Sequence, residues 1–176
     1  MLELGSCLEE FKLLNTVSGN DFSSSELDEA KPSLIMFICN HCPYVIHYHD
    51  EIKRLANDFN DTINMVAISS NDIKEYPQDG PDKMRELWTE LGLSFPYLFD
   101  STQDVAKQYK AECTPEFYLF DSSQKLVYRG RLDESSPNSG LEPTGEDLRN
   151  AVENVLNNKD VNADQFPSMG CNIKWK

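Results

Sequence analysis

Cys39, His41 and Cys42 stand together in the run Cys39-Asn40-His41-Cys42-Pro43, the densest group of reactive side chains in the sequence. Two thiols three positions apart can pass a disulfide between themselves and an outside partner, or hold a soft metal ion. Their setting points to the first. Ser33-Leu34-Ile35-Met36-Phe37-Ile38, just ahead, reads as a buried strand, and the residues after Cys42 carry helical periodicity, with Val45, Tyr48, Ile52, Leu55, Ala56 and Phe59 on one apolar stripe. Glu51, Lys53, Arg54, Asn57 and Asp58 point mostly away from it. Proline suits the first helical position, where its missing N–H is not needed, so Pro43 there makes Cys42 the N-cap. A thiolate at that place meets unpaired backbone N–H groups and the positive end of the helix dipole, which lower its pKa. Cys42 is therefore the preferred attacking sulfur, expected at the solvent-facing tip of the helix. A protonated His41 can stabilise the same thiolate.

The elements that must position this corner follow along the chain. An N-terminal hairpin is expected within residues 8–30, from Phe11–Asn15 and a weak strand at Asp21-Phe22. After the Cys42 helix comes the strand Ile63–Ser69, giving a β-α-β unit with a parallel, right-handed crossover. Residues 71–81 read as a polar loop and 82–92 as a helix closed by Gly92. Phe95–Asp100 is a short apolar segment whose Pro96 suits an edge or a bend. A short helix over 102–110 precedes Cys113-Thr114-Pro115, then a hairpin of Glu116–Phe120 and Leu126–Gly130 on the sheet edge, and a last helix over 146–158. Arg129 and Arg131 on that hairpin are expected in surface ion pairs.

The 176 residues fit one domain, residues 1–176, with a hairpin extension (1–30) and a C-terminal tail (159–176). Net charge is −14, from 16 basic and 30 acidic residues, so phosphate backbones and anionic membranes are repelled. Neither nucleic acid nor membrane is expected as a partner. With no secretory signal visible and no membrane-length apolar run, the expected location is the cytoplasm, where paired thiols serve catalysis or metal binding more often than structure.

The element order resembles the thioredoxin fold, an α/β architecture with a central mixed sheet flanked by helices. More closely, the chain resembles bacterial thioredoxin-family, redoxin-domain proteins. The likeness rests on Cys39-Asn40-His41-Cys42-Pro43-Tyr44-Val45, Ser70-Asn71-Asp72, Phe95-Pro96-Tyr97-Leu98, Cys113-Thr114-Pro115 and the tail Gly170-Cys171-Asn172-Ile173-Lys174-Trp175-Lys176. It implies a cis Thr114–Pro115 bond facing the cysteine corner, with a backbone edge that an extended peptide can join. It also makes Cys113, beside that proline, and Cys171, on a tail that folds back, candidate redox thiols; Cys7 is a bystander. In thioredoxin-like proteins the first cysteine attacks, which would select Cys39. That register pushes Pro43 about four residues into the helix at a cost of ~3 kcal/mol. Against it, Phe37 stands five residues before Cys42, as a Phe does before the attacking cysteine of thioredoxins. Both registers stay open.

The pattern also has gaps. Asn40 replaces the usual small or proline residue, no Trp precedes the pair, and Met36 or Ser33 stands where thioredoxins keep a buried acid. The Pro and Thr that precede a peroxiredoxin's attacking cysteine are missing. The expected activity is thiol–disulfide exchange on protein or small-molecule disulfides and thiols, recharged by a reducing partner, with no cofactor. A thiol-dependent peroxidase is one alternative. The other is a Zn or Cu(I) module built on Cys39, Cys42 and one histidine, since His47 and His49 lie ~200° apart on a helix.

Overall fold

The computed structural model describes all 176 residues. From the N-terminus the chain forms β1 (Lys12–Asn15), β2 (Asp21–Ser23), β3 (Ser33–Phe37), α1 (Pro43–His47), α2 (His49–Phe59) and β4 (Asn64–Ser69). It continues through α3 (Pro81–Leu91), β5 (Tyr97–Phe99), α4 (Asp104–Gln108), β6 (Cys113–Thr114) and β7 (Glu116–Phe120). β8 (Leu126–Gly130), α5 (Glu146–Leu156) and β9 (Cys171–Asn172) complete it.

Seven strands make one mixed sheet in the order β2-β1-β5-β4-β3-β7-β8, and β6 pairs separately with β9. Every residue of β3 is buried, as an unbroken apolar strand requires. β4 runs parallel on one side of it and β7 antiparallel on the other. Alternation sends Leu34, Met36 and Ile38 to one face, where Val45, Ile52, Leu55, Trp88, Leu148 and Val152 cover them. Ile35 and Phe37 face the other side, under Val105, Ala106, Tyr109 and Ile173. Both cysteines of the corner belong to the first face. No helix is long and apolar enough to cross a membrane.

Three expectations need correction. The Cys42 helix is two helices, broken at Tyr48 (φ −95°, ψ 0°), whose hydroxyl donates to the Ser135 carbonyl at 2.7 Å and ties the break to the 133–136 loop. Glu51 points inward: it is 1% exposed and accepts from Arg54 Nε at 2.6 Å and Arg149 Nε at 2.5 Å. β5 is not an edge but interior, between β1 and β4; of the two expected settings Pro96 takes the bend, at Phe95 just before the strand, and its carbonyl accepts from the Ala67 N–H at 2.9 Å. The N-terminal hairpin forms as expected and extends the sheet through β1–β5 pairing. β8 is the opposite edge.

Candidate redox site

Cys42 is the N-cap of α1, with Pro43 at the first helical position. As a thiol it donates to the Thr114 carbonyl, 3.2 Å from its sulfur. As a thiolate it is held by the Cys39 thiol first, then by the Cys171 thiol and the backbone N–H groups of Val45 and Cys171. The Val45 N–H is one of the donors that any helix leaves unpaired in its first turn. Burial opposes ionisation, and so does the Thr114 carbonyl; four donors outweigh them, and the pKa falls to about 4. Cys39, at the end of β3, goes the other way. Its hydrogen bond to Cys42 raises its pKa, as do burial and the nearby Asp79 charge. One sulfur is thus prepared to attack while its neighbour keeps a proton.

The acid that the sequence did not reveal is Asp79. It ends a 3-10 turn, Pro77–Asp79, inside the loop read as merely polar. Fully buried, it accepts from the Asn40 N–H at 2.8 Å, His41 Nδ1 at 2.6 Å and Asn71 Nδ2 at 2.8 Å. His41 therefore turns toward Cys39, 4.0 Å away, and stacks on Tyr76. This corrects the expectation that His41 backs the Cys42 thiolate. Ligand atoms of Cys39, His41 and Asp79 lie within 4.8 Å of one another, a set different from the two cysteines and a histidine anticipated. His41 and Asp79 direct these atoms at each other, which is the geometry of a proton-holding pair.

Thr114–Pro115 is cis and faces the corner, with Thr114 Oγ1 3.4 Å from the Cys39 sulfur. The expected open edge and exposed sulfur are not found. Cys42 is 0% exposed, and β9 lies antiparallel along β6 with Cys171 opposite Thr114 and Asn172 opposite Cys113. Gly170 is pressed so closely on Thr114 that a Cβ would lie 1.9 Å from its carbonyl oxygen. The cover along β6 is thus the chain's own tail, while the Cys42 side chain itself packs into the apolar core behind it.

The other candidates are dispersed. Cys113 is half-buried, and burial, then Glu116, then Cys42, push its thiol up to about 12. Cys7 is exposed beside Lys125 Nζ at 3.0 Å, and all five thiols are free. His47 Nε2 meets Ser135 Oγ at 3.0 Å, away from the sulfurs, and burial lowers the pKa of His49. Arg131 pairs with Asp147 at 2.6 Å.

A cysteine pair at the N-terminus of a helix, opposite a cis-proline, on a mixed sheet of this order, defines a thioredoxin-like protein. The Redoxin family model matches residues 3–144, and the chain belongs to that family. It is 48% identical to an uncharacterized conserved protein from Geobacillus kaustophilus, over 100% of this chain and 94% of that one, with a TM-score of 0.97. A hypothetical protein from Sinorhizobium meliloti is 40% identical over 100% and 96% of the two chains, with a TM-score of 0.96. The thioredoxin domain of a thiol-disulfide oxidoreductase from Bacteroides vulgatus is 20% identical, covering 89% and 99%, and its TM-score of 0.67 shows the shared fold. A search of curated sequences finds no match. Family and site together support thiol-based oxidoreductase chemistry in general.

Proposed function

We propose that the protein catalyses thiol–disulfide exchange, with Cys42 as the attacking sulfur. The observation that carries this reading is the placement of the Cys42 sulfur, at the N-cap of α1 with Pro43 at the first helical position and 3.2 Å from the carbonyl oxygen of Thr114, whose bond to Pro115 is cis; the donors around it lower its pKa. When β9 parts from β6, the Thr114 backbone offers an edge to an extended substrate. The Cys42 thiolate then attacks one sulfur of the substrate disulfide, forming a mixed disulfide and expelling the other sulfur as a thiolate. Cys39 next gives up its proton, with the Asp79 carboxylate as the acceptor, and attacks Cys42 Sγ. The substrate's second thiolate leaves and Cys39–Cys42 becomes the disulfide, which an external dithiol reduces to restart the cycle. Thr114 and Pro115 shape the docking surface, and Thr114 Oγ1 steadies Cys39.

Turnover with insulin as substrate and dithiothreitol as reductant tests it. Cys42→Ser abolishes the activity. Asp79→Asn slows it roughly a hundredfold, the lower range for a lost acid–base group. Full activity of the Cys42→Ser variant would refute the proposal.

A further inference from the structure

The C-terminal strand puts a sulfur where a bound peptide would put one. Cys171 sits opposite Thr114 in an antiparallel pairing, and both its thiol and its N–H act on the Cys42 sulfur. The placement is fixed from both ends. Downstream, Ile173 is 3% exposed and its N–H donates to the Glu112 carbonyl at 3.0 Å. The Lys174 N–H donates to Asn71 Oδ1 at 2.8 Å, and its carbonyl accepts from the Asp72 N–H at 2.8 Å and Gln103 Nε2 at 2.9 Å. Upstream, the contact of Gly170 with Thr114 leaves no room for a side chain. Cys171 is only half-buried, whereas Cys42 is 0% exposed.

We propose that Cys171 is an internal exchange partner of Cys42, carrying the disulfide from the buried Cys39–Cys42 pair to the surface. This rests on the reading that Cys39 and Cys42 exchange disulfides. In the oxidised protein the Cys171 thiolate attacks Cys42 Sγ. The Cys42–Cys171 bond forms as the Cys39–Cys42 bond breaks, and Cys39 leaves as a thiolate that takes up the proton Cys171 released. One disulfide and one thiol stand on each side, so no external oxidant is consumed. In the reduced protein burial, and then Cys42, push the Cys171 thiol up to about 11, while Lys174 draws it down. Oxidation of Cys42 removes its charge and its hydrogen bond, which brings the Cys171 pKa down from its raised value in the state where the step needs the thiolate, although burial still outweighs Lys174. An outside thiol can then reach the disulfide at Cys171 with β9 still paired.

The test uses the full-length Cys39→Ser protein, treated with oxidised glutathione and mapped as nonreduced peptides. A glutathione adduct on Cys42 should be displaced by Cys171. An intramolecular thiol acts at an effective concentration on the order of millimolar, against micromolar released glutathione, so the bridged form should exceed the adduct by at least about tenfold. Cys39→Ser with Cys171→Ser should instead keep glutathione on Cys42, which also reports that the site is folded and reactive. Glutathione retained on Cys42 in both variants overturns the proposal and leaves exchange at Cys42 standing. A bridge between two chains also overturns it. The lack of any Cys42 adduct in both variants overturns this proposal and the exchange reading together.

Discussion

Cys42 and Cys39 share one surrounding of low polarity, yet the donors are distributed unequally between them. Cys42 takes the helix N–H, the tail N–H and two thiols; Cys39 takes its proximity to Asp79. The folded-state pKa of Cys42, about 4, lies below the ordinary thiol value of 9.0. The reduced fold therefore binds fewer protons than the unfolded chain between those two values. That contribution to stability is full above the unfolded pKa, declines as pH falls, and is gone below the folded one. Ultraviolet absorbance of the thiolate should rise with a midpoint near pH 4, and Cys42→Ser should remove that step. A first thiolate appearing only near pH 9, the ordinary value, would contradict the assignment.

At the scale of elements, the site depends on how firmly β9 is seated. Gly170→Ala forces a Cβ against the Thr114 carbonyl, and overpacking of this kind costs about 1–3 kcal/mol. The strand should open more often by the matching factor, roughly fivefold to 150-fold, and iodoacetamide should alkylate Cys42 faster in proportion. An unchanged rate would mean that the tail does not guard the sulfur. Much of the corner was legible in advance: apolar continuity marked β3, Pro43 marked the first turn of α1, and Thr114-Pro115 marked the opposing loop. Asp79 was not, because its role comes from a turn between β4 and α3 that has no periodicity to read. Nor was the cover over Cys42, since only long-range pairing tells a tail that returns to β6 from one that does not. The resemblance suggested that Cys171 folds back; it gave no register.

Across the whole molecule, one buried acid ties the redox face together. Glu51 on α2 holds Arg149 of α5 and Arg54, while Gly145, at a φ of +67°, brings the loop before α5 so close that a Cβ would lie 2.6 Å from a Glu51 oxygen. Helical periodicity placed Glu51 outside the apolar stripe, and its burial becomes visible only when α5 supplies the counter-charge. Glu51→Ala should cost about 3 kcal/mol, as for other broken buried ion pairs. In a chain of this size that is roughly 6–12 °C in Tm by calorimetry; a shift of under about 1 °C would show that the network does not couple the helices. The mechanism turns on which sulfur meets the substrate. Cys39→Ser with Cys171→Ser removes both thiols that hydrogen-bond the Cys42 sulfur, so a single turnover with a peptide disulfide, followed by mass-spectrometric mapping, should find the peptide on Cys42. A peptide found instead on Cys39 in the Cys42→Ser, Cys171→Ser protein, with none on Cys42 in the first variant, would contradict it.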